Sequence, residues 1–239
     1  GAAGGIAGGA GAAETAGRAY RLHDEPFYFE AAEAWEREFR DAEASFSVPG
    51  AAFSAKSDDA EAGAAAFEGR QDALLWTNHK GWVEYEFDAP EAGLYVIELE
   101  YFPLGGEYGA GRAPLTLSFE VNGAVPFREA RSLEFEREYT DAWPLERDID
   151  GNDIRPKTTE LLRWKTKAAH DSEGAYPLPL KWVLREGKNT LRITKLREPA
   201  AIAAIHFRPP EPLPDYAAYA TAVPAEAKAA AGTIGSGGG

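Results

Sequence analysis

Residues 82–90, WVEYEFDAP, alternate so strictly that they can only lie as a strand with one face covered. Trp82, Glu84, Glu86 and Asp88 fall on one side, Val83, Tyr85 and Phe87 on the other, which is the period of two of a pleated backbone. The pattern recurs. EAGLYVIELEYF follows after a turn, APLTLSFEV ends at Asn122-Gly123, and LKWVLREGKNTLRITKL turns at Glu186 to Asn189. The strands Trp82–Phe87 and Leu94–Phe102 read as an antiparallel hairpin, and the two later segments as hairpin strands joined by their turns. Short alternating runs punctuated by Gly, Pro, Asn and Asp predict an all-β fold, a two-sheet antiparallel β-sandwich with minor helical segments. Val83, Tyr85, Phe87, Leu94, Val96, Leu117, Phe119, Val121, Leu191 and Ile193 are expected to face inward. Helix is expected in EAAEAWEREFRDA and in a turn within RPKTTELLRW. The charged run Glu134–Asp141, EFEREYTD, reads as the wet face of a strand.

Low-complexity segments flank this pattern. Residues 1–24 are expected as a flexible Gly/Ala-rich leader, 25–210 as the sandwich, and 211–239 as a Pro/Ala/Gly-rich tail or linker with a short helix near Pro214. With 39 acidic against 25 basic residues, the chain of 239 carries a formal charge of −14. That balance argues against sequence-independent binding to nucleic acid, which needs clustered Lys and Arg. No run approaches the roughly 20 apolar residues of a membrane helix, so no membrane span is expected. The absence of cysteine removes any disulfide, thiolate nucleophile or Cys-ligated zinc. The four histidines, 23, 79, 170 and 206, lack metal-ligand spacing. No serine-hydrolase elbow or phosphate loop occurs, and the expectation is a protein without a catalytic site or cofactor.

The order GWVEYEFDAPEAGLYVIELEYF, LTLSFEVNG, a Trp-bearing loop, then LREGKNTLRI resembles galactose-binding-like jelly rolls and carbohydrate-binding modules of the family 6 and 35 type. The resemblance spans roughly residues 27–208. FYFEAAEAW is similar to the first strand of such modules, and the whole looks like the module on the N-terminal side of some bacterial extracellular solute-binding proteins. It implies carbohydrate binding, a secreted or cell-surface location and a larger host polypeptide. Where such modules hold a structural calcium with a late Asp, this sequence has Ala203 and Ala204, and no metal ligand is assigned. The acidic stretch Asp141–Pro156, with Asp148, Asp150, Asn152 and Asp153, lacks a full calcium loop and reads as a solvated turn.

A sugar presents an apolar C–H face ringed by hydroxyls, so its site needs an exposed aromatic plane beside groups that donate and accept hydrogen bonds. WTNHKGW offers Trp76, Asn78, His79 and Trp82. The Gly-rich stretch Pro103–Pro114 offers Tyr108 and Arg112. Trp76 or Trp82 would supply the plane, and the two loops are expected to converge because they leave the same end of one pair of strands. The alternative for the tryptophans is core packing. A second reading of the whole chain is a structural module, a homo-oligomer with subunit contacts made by the tails.

Overall fold

The computed structural model describes residues 24–141, 149–151 and 158–212. Residues 1–23 of the expected leader, the helix near Pro214, and Asp148, Asn152 and Asp153 therefore lie outside the described residues. Contacts divide the chain into Gly1–Pro209 and Pro210–Gly239, and every helix and strand described belongs to the first unit.

One α-helix, α1 (Tyr28–Glu38), precedes strands β1 (Phe46–Pro49), β2 (Ala55–Lys56), β3 (Ala62–Phe67), β4 (Arg70–Trp76), β5 (Trp82–Ala89), β6 (Gly93–Pro103) and β7 (Leu115–Val121). Then come β8 (Leu133–Phe135), β9 (Tyr139–Asp141), β10 (Thr158–Glu160), β11 (Lys165–Ala168), β12 (Lys181–Leu184), β13 (Gly187–Arg197) and β14 (Ala200–Arg208). They form the expected two-sheet antiparallel sandwich. One sheet has seven strands, in the order β11-β6-β14-β4-β3, with β12 continuing along β6 and β1 along β14. The other has five, β2-β5-β13-β7-β8, and β9 and β10 make a separate ribbon.

Where the strands belong differs from the hairpin expectation. β5 lies in the five-stranded sheet and β6 in the seven-stranded one, and β12 and β13 are divided in the same way. The connections at Pro90–Ala92 and Arg185–Glu186 are thus corners between layers. Alternation fixes which residues are covered, but a corner and a hairpin turn share the same Gly, Pro and Asn chemistry.

The core confirms most of the inward face. Val83, Tyr85, Leu117, Phe119, Leu191 and Ile193 are fully buried in one cluster, with Phe87 and Val121 packed at its margin. β6 is read in the wrong phase: Tyr95, Ile97, Leu99 and Tyr101 enter the core cluster, whereas Leu94 and Val96 are buried outside it. Both faces of that end of β6 are covered, so hydrophobicity alone could not choose. Aromatic contacts knit the layers together, Phe87 of β5 lying 4.7 Å from Phe207 of β14 and Phe119 of β7 lying 5.6 Å from Trp182 of β12.

FYFEAAEAW is the helix α1, not a first strand. Its Glu/Ala-rich run favours helix, Glu30 Oε2 accepts the Phe27 N–H at 3.0 Å, and Tyr28 and Ala31 are its buried residues. The Tyr28 hydroxyl accepts the Lys181 N–H at 2.9 Å, which docks the helix on β12. The helical turn expected in RPKTTELLRW is instead strand at Thr158–Glu160, paired with β9. No described helix is long and apolar enough to cross a membrane.

Candidate functional site

Three connections between the layers gather at one end of the sandwich: residues 77–81 from β4 to β5, 104–114 from β6 to β7, and 198–199 from β13 to β14. The first is pinned by its own atoms. Trp76 Nε1 donates to Asn78 Oδ1 and to the Lys80 carbonyl, each at 3.1 Å, and Asn78 Nδ2 donates to the Asp59 carbonyl at 2.7 Å. Gly81 has φ +87°, and a Cβ there would stand 2.6 Å from the Ala60 Cβ, so only glycine lets the chain turn so close to its neighbour.

These contacts correct two of the expected site residues. Trp76 is 0% exposed; its indole belongs to the core and offers no stacking plane. Asn78 has both ends of its amide engaged in shaping the turn, which makes it a loop-former. The period of two could have shown this, because Trp76 continues the buried phase of Leu74 along β4.

The remaining residues divide by exposure. His79 is exposed, and its Nε2 lies 3.9 Å from where a Cβ on Gly109 would stand. The two loops therefore do meet, as expected, although the strands they extend sit in different sheets. Tyr108 is half-buried and packs against Phe102, Leu104 and Ala201 together with Phe67, Leu75 and Trp164. Arg112 is exposed, and its carbonyl accepts the Tyr139 hydroxyl at 3.2 Å.

Trp82 opens β5 on the outward face of the five-stranded sheet, with Thr194 as its cross-strand neighbour. Its indole is half-buried and sits under the Arg192 guanidinium, whose central carbon is 4.1 Å from the ring centroid. Arg192 Nε donates to Glu84 Oε2 at 2.9 Å. Register places Glu84, Arg192 and Glu120 in one row across β5, β13 and β7, and Trp82, Thr194 and Ser118 in the next. The face thus presents an aromatic ring, a fixed guanidinium, carboxylates and the Thr194 hydroxyl within two rows. Glu84 and Arg192 were not singled out from the sequence, yet the parity that turns Leu191 and Ile193 inward turns Arg192 outward.

Two further groups at this end carry no sequence signal of their own. Lys195 continues the inward phase of Leu191 and Ile193, is 3% exposed, and holds its Nζ 4.3 Å from the centroid of Trp76. Among the described residues that amine has no hydrogen-bond partner, and burial pushes its pKa well below the usual lysine value. Arg137, within the run expected to be the wet face of a strand, is instead buried beneath the Gly-rich loop, its side chain 1% exposed. Among the described residues no group of three or more His, Asp or Glu side chains is placed to hold a metal ion.

No protein-family model matches the chain, nor does any curated protein. Solved structures resemble it in backbone course. A GH26-CBM35 β-(1,4)-mannanase from Podospora anserina aligns at TM-score 0.41 and 10% identity, covering 72% of this chain and 29% of that one. The chain spans under a third of that enzyme. The C-terminal CBM6 of a marine laminarinase from Zobellia galactanivorans aligns at TM-score 0.39 and 10% identity, covering 69% of this chain and 99% of that one. For the CBM35 from Paenibacillus barcinonensis the values are 0.38 and 12%, covering 68% and 97%.

Proposed function

We propose that this protein is a non-catalytic carbohydrate-binding module of an exported protein, with its glycan site on and beside Trp82. The observation that carries the reading is the Trp82 indole, part-exposed on an otherwise polar sheet face and framed by Arg192 and Glu84. A hexose needs an apolar plane for its C–H face and charged or amide groups for paired hydroxyls, and this is where the chain offers them together. His79, brought to Gly109 at the adjoining loops, extends the same surface. A shallow, wet surface of this kind binds weakly, with Kd on the order of 10 μM to 1 mM.

The test is a glycan array followed by calorimetry on the best soluble hit, for the parent and for Trp82→Ala. The reading expects binding in the parent and its loss in a variant that still unfolds at the parent's temperature. A parent that binds no glycan, or a Trp82→Ala variant that binds like the parent, refutes it.

A further inference from the structure

The Gly-rich loop at residues 104–114 is short of side chains to hold it, yet it carries Tyr108 and Gly109 to a defined place beside His79. The buried guanidinium of Arg137 accounts for this. Its Nε donates to the Ala113 carbonyl at 3.0 Å, and both terminal nitrogens donate to the Leu104 carbonyl at 3.1 Å. One fork therefore grips the first and the penultimate residues of the loop. The same guanidinium pairs with Glu160 of β10 and, at 3.2 Å, with Glu198 Oε2.

Glu198 then reaches the middle of the loop. Its Oε2 accepts the Gly111 N–H at 2.7 Å, and a Cβ on Gly111 would stand 2.8 Å from its Oε1, so the carboxylate lies against bare backbone. Glu198 itself sits at φ +65°, in the left-handed region, a conformation that costs about 1 kcal/mol or more for a non-glycine residue. It is 5% exposed. From the ribbon, the Tyr139 hydroxyl donates to the Arg112 carbonyl, and just past β10 the Leu162 Cδ1 lies 3.1 Å from where a Cβ on Gly105 would stand.

We infer that Arg137, with Glu198 and Glu160, is the positioning group of the candidate binding surface, presetting the Gly-rich loop and tying it to the β9–β10 ribbon. Arg137 touches no ligand in this scheme; it acts through the loop. The inference rests on the carbohydrate reading for its consequence but not for its mechanism. A loop fixed before binding loses no conformational freedom when a ligand arrives, which is where a weak site gains most.

The experiment separates the clamp from overall stability. Truncating Arg137 alone would strand the buried carboxylate of Glu198 and the part-exposed one of Glu160, so the informative variant neutralises all three groups: Arg137→Met, Glu160→Gln and Glu198→Gln together. Arg137→Lys is the second variant, keeping the charge and losing the fork. Amide hydrogen exchange is read at Tyr108 and Gly109, whose N–H groups donate within the loop to Gly105 and Gly106, and at Ile193 in the core. In both variants the two loop amides should exchange at least about tenfold faster while Ile193 is unchanged, the signature of local opening. Affinity for the best binder among laminarin, galactomannan and dextran should fall at least about tenfold alongside, since losing one positioning contact of roughly 1.4 kcal/mol has that effect.

Unchanged loop exchange in the folded triple variant overturns the clamp, and if that variant does not fold, unchanged exchange in Arg137→Lys does so. Faster exchange with unchanged affinity overturns the positioning role. A parent that binds none of the three polysaccharides counts against the carbohydrate reading, while the exchange result still decides the clamp.

Discussion

Trp76 and Trp82 flank the same short loop and each lies beneath a cation, but in opposite surroundings. Lys195 Nζ stands 4.3 Å from the Trp76 ring inside the sandwich, and the Arg192 guanidinium 4.1 Å from the Trp82 ring on its outer face. Both cations come from β13, on opposite sides of its pleat. Arg192 keeps water, the ring and Glu84 as partners; its side chain is 35% exposed. Among the described residues, the Lys195 amine has the ring alone. The attraction of a cation to an indole is worth about 0.5–2 kcal/mol, against several kcal/mol to bury an ammonium. One geometry therefore makes an inert, costly contact within the core and an available one at the surface.

The largest separation between the two should come from removing the rings. Trp76→Ala should cost about 3–5 kcal/mol, as aromatic truncations in packed cores do, measured as a shift of the urea midpoint. Trp82→Ala should stay within about 1 kcal/mol of the parent. Equal losses would erase the distinction between interior and surface.

The cations should differ in sign. Lys195→Met replaces an unpartnered amine with an apolar chain of similar length, and should stabilise the fold at neutral pH by about 1–3 kcal/mol, the cost of an unsatisfied buried donor. Because burial lowers the Lys195 pKa in the folded state, the unfolded chain binds more protons across the interval between the two pKa values. Stability of the parent therefore rises with pH through that interval, up to the unfolded value of about 10.4. The advantage of Lys195→Met should shrink over the same range. Urea titrations of parent and variant between neutral and alkaline pH check this, and a pH-independent difference would show that Lys195 stays charged in the fold.

How far the sequence carries is clearest in these same strands. The period of two put Val83, Tyr85, Leu191 and Ile193 inside and Trp82 outside, because each choice rests on one residue's own parity. Carried two residues further it would have buried Lys195, which residue type argues against, and carried back along β4 it would have buried Trp76, the core packing that the sequence left open beside a stacking role. The sheet assignments were not legible, since corners and hairpins use the same turn residues. Arg137 was hidden for another reason: its partners are the Leu104 and Ala113 carbonyls and carboxylates distant in sequence, and backbone carbonyls have no signature in a list of side chains.

At the proposed site the comparison turns on binding. Trp82→Ala should remove about 1–3 kcal/mol of glycan affinity, the usual cost of losing a contact aromatic, while His79→Ala, at the margin, should remove less. Calorimetry against the best array hit measures both. If His79→Ala costs more than Trp82→Ala, the site is centred on the loops and the sheet face is only its border.

The smallest effect belongs to Arg192, and it separates two origins of its contact with Trp82. Arg192→Ala removes the stacked guanidinium and the pair with Glu84, each worth about 0.5 kcal/mol at a half-exposed position, so the stability change should stay at or below about 1 kcal/mol. Arg192→Lys keeps the charge but loses the planar group that can lie along the indole while its Nε holds Glu84. If stacking fixes the ring, Arg192→Lys should behave like Arg192→Ala, with the same displacement of the Trp82 indole N–H resonance and the same small loss of glycan affinity. If charge fixes it, Arg192→Lys should match the parent, and raising the ionic strength should loosen the ring in both, since screening weakens exposed pairs. The indole resonance across a salt titration of the three proteins distinguishes the cases, and salt-insensitive parent and Arg192→Lys spectra that differ from one another would assign the contact to the plane of the guanidinium.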